Sequence, residues 1–278
     1  MFISNLTIQS TSKVNLGLKV INKRSDGYHN ISSIFIELDL SDTIQFIPSN
    51  KLEIEFLNAD IPLKNTVSDA VDLISKIYNI DLNCRIIVDK KIPLGAGLGG
   101  GSSNAAHILK ILNKVYSLNI KNSSLEDIGA KIGSDVPFFI NGGVKKISKK
   151  GNIIKNINSD AINDKVFLLV FPNFSISTQW AYQKIKKHLS SNKINPKFPP
   201  LTNKVDWTLF ENDFEHIVCL AYPEILDIKS ALYKSGALYS GLSGSGSTMF
   251  GIYNDIDTAK VAIKNLHQYQ THIASPRI

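Results

Sequence analysis

The residues of this chain that most plainly suggest chemistry lie in a glycine-rich segment, Pro93 to Ala106. Five glycines fall within residues 95–101, and Ser102 and Ser103 follow them. Glycine lets the backbone approach a ligand closely and turn its amides inward, and a helix that starts there adds a partial positive charge. These are the properties of a phosphate-binding loop. We therefore predict a phosphate site at Pro93, Leu94, Gly95, Ala96, Gly97, Leu98, Gly99, Gly100, Gly101, Ser102 and Ser103.

Two common kinds of phosphate loop do not fit this segment. Gly95-x-Gly97-x-x-Gly100 matches the dinucleotide fingerprint, but residues 116–123, about 20 positions on, include no acidic residue that could bind a ribose. A Walker A loop needs a lysine before its Ser or Thr, and residues 93–103 contain no lysine. The motifs of protein kinases are absent as well.

Three further groups of residues are candidates for chemistry. Lys13 and Asn15 alternate with apolar residues, so a strand would place both side chains on its polar face. Asp135 precedes a predicted helix, and Gly241 to Thr248 form a second run of amides and hydroxyls. Each group alone also fits an ordinary structural role, as exposed strand residues, a helix cap and a loop.

The elements that must position these residues begin with strands. The alternation after Lys13 and again around Ile34 predicts two strands joined by a turn at Asp26-Gly27. Helical spacing predicts a helix over 68–78 and another after the glycine loop, with a short strand at 85–88 between them. Ser123 and Glu126 fit a capping box that opens a short helix ending at Gly133.

The second half continues this mixture. The lysine- and asparagine-rich residues 145–164 are predicted to form an exposed hairpin or loop, and the apolar residues 166–171 a buried strand. Residues 190–200 are predicted to be a linker or an insertion. A helix over 225–233 and a strand over 248–253 flank the second glycine run. We therefore predict an α+β fold of two lobes, with domains at 1–165 and 166–278.

Composition excludes several classes of protein. The chain has 278 residues, 43% of them apolar, and only two cysteines, which rules out collagen-like, disordered and disulfide-scaffold proteins. No apolar run approaches a membrane span, and the N-terminus lacks the pattern of a signal peptide. We expect a cytoplasmic protein. Its formal charge of +7 comes from scattered lysines and only three arginines, which favours a solvated surface over specific nucleic-acid binding.

Together, the four groups of residues resemble the GHMP kinase superfamily. Its three motifs appear in order, as Lys13-Val14-Asn15-Leu16, the 93–106 loop and the 241–248 run. The resemblance is closest to one branch of that superfamily, on the strength of residues 24–29 (Arg-Ser-Asp-Gly-Tyr-His) and 133–139 (Gly-Ser-Asp-Val-Pro-Phe-Phe). One departure is Ser10-Thr11-Ser12, where the branch has a small residue, Pro and Ala before the lysine.

The resemblance implies an ATP-dependent kinase with an N-terminal lobe like ribosomal protein S5 and a ferredoxin-like C-terminal lobe. Its branch phosphorylates the 2-hydroxyl of 4-diphosphocytidyl-2-C-methyl-D-erythritol, in the non-mevalonate (methylerythritol phosphate) route to isoprenoid precursors. ATP would be the co-substrate, with Mg²⁺ expected beside it, although no acidic metal ligand is evident from sequence. Other expected partners are small molecules only, without nucleic acid or membrane, and the chain would be a monomer or weak dimer.

The resemblance also implies roles for individual residues. Asp135 would be the base and Lys13 the charge stabiliser, and whether Lys13 acts on the hydroxyl, on Asp135 or on the γ-phosphate stays open. The 93–103 loop would bind the ATP phosphates. The implied substrate-binding residues are Asn15, Tyr28, His29, Thr178, Tyr182, Gly244 and Ser245, with Tyr28, His29 and Tyr182 around the cytosine.

Two alternatives remain at this point. Another GHMP kinase, acting on homoserine, mevalonate or a sugar, would share the three motifs, but those substrates carry no nucleobase for residues 26–29 to bind. A basic, non-catalytic protein that binds nucleotides or nucleic acid would show steep salt dependence and no ATP turnover. The combination of loop, lysine and aspartate favours the kinase.

Overall fold

The computed structural model describes residues 5–185, 198–202 and 204–278 of the chain. Contacts between residues define two compact units, each drawn from separate stretches of sequence. Unit 1 comprises Met1–Ser12, Leu40–Leu94 and Gly99–Gly142, and unit 2 comprises Lys13–Asp39, Gly95–Leu98 and Gly143–Ile278. This grouping does not test the predicted domain boundary at residue 165, which stays a prediction. Most of the predicted linker at 190–200 lies outside the described residues.

Two long, paired strands contribute residues to both units. They are β1 (Leu6–Lys23) and β2 (His29–Pro48), and the predicted turn at 26–27 joins them. Alternate residues of β1 from Val14 onward are buried, as the period of two predicts. Lys13 and Asn15, on the opposite face, are also buried, at 3% and 2% exposure. The interpretation of this pair as exposed strand residues is therefore wrong.

Unit 1 packs four helices together with two further strands. The strand β3 (Glu53–Leu57) runs parallel to β4 (Cys84–Asp89), and β4 is antiparallel to the end of β2. The helices are α1 (Thr66–Tyr78), α2 (Gly100–Val115), α3 (Asn122–Gly129) and α4 (Val136–Asn141). The predicted apolar stripe of α2 is buried, and α2 packs against α1 and α4. Helix α2 starts directly after the glycine loop, as predicted.

The predicted boundaries of α3 are wrong at both ends. The N-cap is Lys121 rather than Ser123, and no side chain caps the helix. The Lys121 carbonyl instead accepts hydrogen bonds from the Ser124 and Leu125 amides, and Asn122 donates to Asn141 Oδ1 at 2.6 Å. The helix ends at Gly129, four residues before the predicted Gly133. Tertiary contacts with α4 therefore override the local capping signal.

Unit 2 contains an antiparallel sheet of four strands, β7 (Val166–Phe171), β8 (Tyr239–Leu242), β9 (Met249–Tyr253) and β10 (Gln270–Ala274). They lie side by side in the order β10-β7-β9-β8. The hairpin of β5 (Val144–Lys149) and β6 (Ile153–Asn156) pairs with β2. Helices α5 (Thr178–Ile185), α6 (Asp213–Ala221), α7 (Glu224–Lys234) and α8 (Ile256–Asn265) complete the unit, with α7 and α8 against the sheet. The strand predicted at 166–171 and the helix predicted at 225–233 are confirmed.

Two expectations concern the chain as a whole. None of the helices in the described part of the chain combines the length and the apolar character needed to cross a bilayer. Cys84 and Cys219 are both free thiols, as expected for a chain without a disulfide framework. Burial raises the pKa of Cys84 to about 11, so this thiol stays protonated near neutral pH.

Candidate active site

The ammonium group of Lys13 is held in place inside unit 2. It donates to Asn15 Oδ1 at 2.6 Å and to the Gly97 carbonyl at 2.9 Å, and it lies 4.8 Å from the centre of the Phe35 ring. The backbone amide of Lys13 also donates to the Leu98 carbonyl. A cation shielded from water and held by these groups has a fixed position. The first motif of the sequence is thus bound directly to the glycine loop.

Asn15 links Lys13 to the neighbouring strand. Its Oδ1 accepts from Lys13, and its Nδ2 donates to Ser33 Oγ at 3.1 Å. Ser33 Oγ in turn donates to the Gly17 carbonyl at 2.6 Å. The side chain of Asn15 therefore already holds the lysine, and its predicted contact with the substrate stays a prediction.

The middle of the glycine loop packs against the second glycine run with no space between the two backbones. Gly95, Gly97 and Gly99 all have positive φ. A Cβ on Gly97 would lie 2.1 Å from the Ser243 carbonyl oxygen, so any side chain there would collide with backbone. Gly241 belongs to strand β8 rather than to a loop, and all of residues 241–248 are buried. The second glycine run is therefore a packed support for the first.

The end of the glycine loop is the start of α2, in unit 1. Its capping residue, Gly99, has no side chain, so no side chain caps the first turn of the helix. Thr66 Oγ1 donates to the Gly101 carbonyl at 2.8 Å, while Gly101 itself is exposed. Ser103 is fully buried and shares a hydrogen bond with Ser10 Oγ at 2.9 Å. The amides of a helix start are suited to phosphate, whereas the predicted contact of Ser103 with ATP stays a prediction.

Asp135 is the N-cap residue of α4, as predicted, and Pro137 lies in the first turn of that helix. Its carboxylate makes no capping hydrogen bond, and Ser134 Oγ donates to Asp135 Oδ1 at 3.3 Å. Two residues earlier, a Cβ on Gly133 would lie 3.7 Å from Ser102 Oγ. Half-buried Asp135 thus comes two residues after Gly133, which lies against the first turn of α2 within unit 1.

The tip of the β1–β2 hairpin holds the two residues predicted to bind the base. Tyr28 is 59% exposed, with Lys150 Nζ 5.7 Å from its ring centre. His29 is buried, and its ring stacks on Tyr182 at 4.7 Å between centroids. Desolvation by itself would raise the pKa of Asp26, but the hydrogen bonds from Arg24 and the Tyr28 amide, together with the nearby positive charges, outweigh it and lower that pKa. The structure therefore brings His29 and Tyr182 together and leaves the ring of Tyr28 open to solvent.

The other predicted substrate residues lie at the start of α5 and in the second glycine run. Thr178 and Ser245 share a hydrogen bond of 3.0 Å between their hydroxyls. A Cβ on Gly244 would lie 3.3 Å from Asn15 Oδ1, so this glycine lies directly beside the residue that holds Lys13. Within unit 2, Gly244 thus lies next to Asn15, which binds Lys13, and its neighbour Ser245 is hydrogen-bonded to Thr178.

Sequence reasoning missed two residues that support this cluster. Ser243 Oγ donates to the Gly97 carbonyl at 2.9 Å, and it accepts from the Asn15 amide at 3.3 Å. Asn212 donates to the carbonyls of Leu242 and Gly244, each at 2.8 Å, and also caps α6. The Asn212-x-x-Glu215 spacing resembles a capping box, and this signal could have identified Asn212. Nothing in the sequence distinguishes Ser243 from its neighbouring serines.

A metal site is not evident from the protein side chains. The described ranges contain no group of three or more His, Cys, Asp or Glu residues placed to hold a metal ion. Oxygen donors of unit 1 that could contribute are the Ser102 hydroxyl, in the first turn of α2, and the carboxylate of Asp135, two residues after the glycine that lies against it. Mg²⁺ in phosphoryl-transfer enzymes commonly needs only one or two protein oxygens, because phosphates and water supply the others. This small donor set therefore fits a magnesium ion that accompanies ATP.

Comparison with known families places the chain among the GHMP kinases. The family model for the GHMP kinases N terminal domain matches residues 65–143, and the model for GHMP kinases C terminal matches residues 208–271. A crystal structure of 4-(cytidine 5'-diphospho)-2C-methyl-D-erythritol kinase superimposes with a TM-score of 0.80 and 26% identity, covering 98% of this chain and 99% of that one. The predicted α+β GHMP kinase fold is confirmed.

Two relatives refine this placement. A 4-diphosphocytidyl-2-C-methyl-D-erythritol kinase of Thermodesulfovibrio yellowstonii is 41% identical over 276 residues, covering 95% of each chain. The protein of the same name from Chlorobium chlorochromatii is 35% identical over 277 residues, covering 96% of this chain and 95% of its own. Sequence identity at this level over nearly the whole length shows that the similarity extends beyond a shared fold. The chain belongs to the 4-diphosphocytidyl-2-C-methyl-D-erythritol kinase family of GHMP kinases.

Proposed function

We propose that this enzyme transfers the γ-phosphoryl group of ATP to the 2-hydroxyl of 4-diphosphocytidyl-2-C-methyl-D-erythritol. Kinase activity and ATP as co-substrate follow from the family, and the relatives' names support the specific substrate. The observation that carries the proposal is the ammonium of Lys13, fixed by the carbonyl of Gly97 within the glycine loop. A positive charge anchored to the backbone of a phosphate loop is what phosphoryl transfer requires.

Asp135 is the proposed base. In the transfer, a bond forms between the substrate oxygen and the γ-phosphorus, the bond from phosphorus to the bridging oxygen breaks, and ADP leaves. The proton of the substrate hydroxyl passes to the Asp135 carboxylate. Its position supports this role, because the half-buried carboxylate lies at the start of α4, two residues after a glycine that lies against the Ser102 hydroxyl.

Lys13 is the proposed charge stabiliser. Phosphoryl transfer moves negative charge toward the leaving oxygen, and a fixed cation stabilises that charge without having to reorganise. Burial at 3% exposure supports the role, because an ammonium interacts more strongly with charge when water is excluded. Magnesium bound with ATP would neutralise phosphate charge, and the hydroxyl of Ser102 would help to hold it.

The His29 and Tyr182 rings are the proposed recognition site for cytosine. Stacked on Tyr182, His29 has a fixed ring plane, so its edge can serve as a directed hydrogen-bond partner for the base. The exposed ring of Tyr28 is available to stack on the base. Homoserine and mevalonate have no such base, so this aromatic group favours the cytidylyl substrate over theirs.

A substrate comparison tests the proposed function. The full chain is assayed for ADP release with ATP and each of three acceptors: the cytidylyl-methylerythritol substrate, mevalonate and homoserine. We expect turnover with the first alone, and ³¹P NMR should show a new phosphomonoester on the 2-oxygen. Turnover confined to mevalonate or homoserine would overturn the assignment.

Replacing the proposed base tests the mechanism. We expect Asp135→Asn to slow single-turnover phosphoryl transfer by about 100- to 10,000-fold, the usual range for loss of a general base. The matched control is Asp127→Asn, the same change at an exposed residue of the neighbouring helix α3. Near-normal transfer by Asp135→Asn would contradict the base assignment, while equal losses in both variants would point to a general effect on folding.

A further inference from the structure

We propose that Ser243 is a positioning residue, which fixes the ammonium of Lys13 through the carbonyl of Gly97. The inference rests on the proposed function only in taking Lys13 as the charge stabiliser. Ser243 lies in the second glycine run, 230 positions from Lys13 in sequence. All the residues of the argument belong to unit 2.

The hydrogen bonds around Ser243 form a closed circuit. The Gly97 carbonyl accepts from Lys13 Nζ at 2.9 Å and from Ser243 Oγ at 2.9 Å. Ser243 Oγ accepts from the Asn15 amide at 3.3 Å, and Asn15 Oδ1 accepts from Lys13 Nζ at 2.6 Å. Asn15 and the Gly97 carbonyl, which both accept from the ammonium, are thus both bound to a single hydroxyl.

The hydroxyl of Ser243 both donates and accepts a hydrogen bond in this circuit. Because its oxygen accepts from the Asn15 amide, its proton is directed to the Gly97 carbonyl. Ser243 is fully buried, so water cannot replace either bond at its surface. The Gly97 carbonyl, at a half-buried residue, accepts from two donors, and losing one of them should loosen its position.

The backbone of Ser243 is fixed independently of its hydroxyl. Its amide donates to the Thr248 carbonyl at 2.9 Å, and its carbonyl accepts from the Gly246 amide at 3.0 Å. The close approach to Gly97 also involves backbone atoms only. Ser243→Ala should therefore keep the turn and the packing of the loops, and remove only the circuit of hydrogen bonds.

Two measurements test the proposal. Single-turnover transfer is measured in wild type, Ser243→Ala, Lys13→Met and the double variant. Separately, the Lys13 resonance is followed in protein labelled with ¹⁵N at lysine Nζ, and it is assigned by its disappearance in Lys13→Met. Ser240→Ala is the matched control, because Ser240 is equally buried and its hydroxyl has no hydrogen-bond partner among the described residues.

We expect Ser243→Ala to lower the rate of transfer about tenfold, the effect of one buried hydrogen bond, with KM for ATP changed less than about twofold. In the Lys13→Met background the same change should cost less than about twofold, because the group that it positions is gone. The Lys13 resonance should shift in Ser243→Ala and stay in place in Ser240→Ala.

A failure of the positioning role of Ser243 can be distinguished from a failure of the role proposed for Lys13. A tenfold loss in both backgrounds, or an unshifted Lys13 resonance in Ser243→Ala, would overturn the positioning role and leave the proposed function intact. Full activity in Lys13→Met would instead remove the role of Lys13 proposed above, and the positioning role with it. If Lys13→Met transfers too slowly to measure, the resonance alone decides.

Discussion

Lys13 illustrates how a single residue can be charged, buried and stable. Removing an ammonium from water is costly unless hydrogen bonds and opposite partial charges replace the hydration. Here an amide oxygen, a backbone carbonyl and the face of Phe35 replace it. The arrangement depends on backbone that passes close to the lysine, and therefore on the glycines that permit this approach.

Gly97 is the residue on which that close approach depends most. Its φ is +77°, and a Cβ would lie 2.1 Å from a backbone oxygen that cannot move aside. We expect Gly97→Ala to lower the free energy of unfolding by about 3 kcal/mol or more, combining the cost of the left-handed conformation with that of the collision. Urea denaturation followed by circular dichroism measures this.

Gly95→Ala is the control for Gly97→Ala. Gly95 also has a positive φ, +63°, but nothing lies within 4 Å of its hypothetical Cβ. Only the conformational cost applies, so we expect a loss of about 1 kcal/mol. Equal losses in the two variants would show that the second glycine run does not press against Gly97.

The residue types in the sequence indicate the chemistry of the site but not the hydrogen-bond partners of its residues. Lys13, Asn15 and the glycine loop are distinctive because their types and order are unusual, and the structure places Lys13 against the middle of that loop, with Asn15 bound to Lys13. Ser243 did not stand out, because the function inferred for it depends on a carbonyl 146 positions away. A serine in a glycine-rich run carries no local sign of such a contact.

At the scale of elements, a buried ionic network supports the start of α2. Lys90 forms an ion pair with Asp42, with side-chain exposures of 4% and 0%, and it also donates to Asn104 Oδ1 at 3.0 Å. Asn104 Nδ2 donates to Asp42 Oδ2 and to Ser10 Oγ, each at 2.9 Å. This network joins β1, β2, α2 and the residue that follows β4 within unit 1, and Lys90 Nζ lies 3.3 Å from the position of a Cβ on Gly100, in the first turn of α2.

We expect Lys90→Met to lower the free energy of unfolding by about 3 to 5 kcal/mol, because it leaves the Asp42 carboxylate buried without its counter-charge. Adding Asp42→Asn should recover part of that loss, since the remaining amide is neutral. Both are measured by urea denaturation. The control is Lys51→Met, which breaks an ion pair with Glu53 on the exposed surface and should cost less than about 1 kcal/mol. A loss as small as that of the control would contradict the network's importance.

Helix α8 gives a test of pH dependence at the level of one element. Its N-cap is Asp255, whose carboxylate accepts from the Thr258 amide and hydroxyl, each at 2.8 Å. These bonds lower the pKa of Asp255 below its ordinary 3.8. A carboxylate whose pKa is lowered by folding stabilises the protein above the unfolded pKa, and this stabilisation is lost as pH falls through the folded value.

We expect Asp255→Ala to lower Tm by roughly 2 °C at neutral pH. The difference from wild type should shrink as the pH falls from about 4 to below the folded pKa, where the wild-type carboxylate is also protonated. Differential scanning calorimetry across that range measures it. A difference that stays constant with pH would show that the protonated carboxyl of Asp255 caps the helix as well as the charged carboxylate does, so that its charge contributes nothing.

Local patterns predicted elements better than their ends. The helix after the glycine loop and the helix at 225–233 follow from helical period, and the buried strand at 166–171 follows from a continuous apolar run; all three are present. The capping box predicted for α3 failed because Asn122 and its neighbours are positioned by contacts with α4. A cap contributes about 1 kcal/mol, so packing against another helix outweighs it.

For the whole molecule, the order of motifs predicted the family, whereas composition alone excluded classes of protein without identifying one. The three glycine- and lysine-containing motifs are far apart in sequence, and the fold makes neighbours of Lys13, Gly97 and Gly244 within unit 2. Composition alone gives the net positive charge no specific role. Because this charge belongs to the whole surface, its effect is tested by a measurement on the whole molecule.

That charge gives the last prediction. The chain carries 31 basic and 24 acidic side chains, a formal charge of +7, and both proposed substrates are polyphosphates. A positive surface raises the rate at which anions arrive, and salt screens the effect, with a Debye length of about 10 Å at 0.1 M. We expect kcat/KM for ATP to fall roughly threefold between about 20 and 200 mM potassium acetate, with kcat nearly constant. Repeating the series in potassium chloride separates screening from binding of a particular anion, because screening depends on ionic strength alone. A flat kcat/KM would mean that the lysines of the surface contribute to solubility and not to substrate capture.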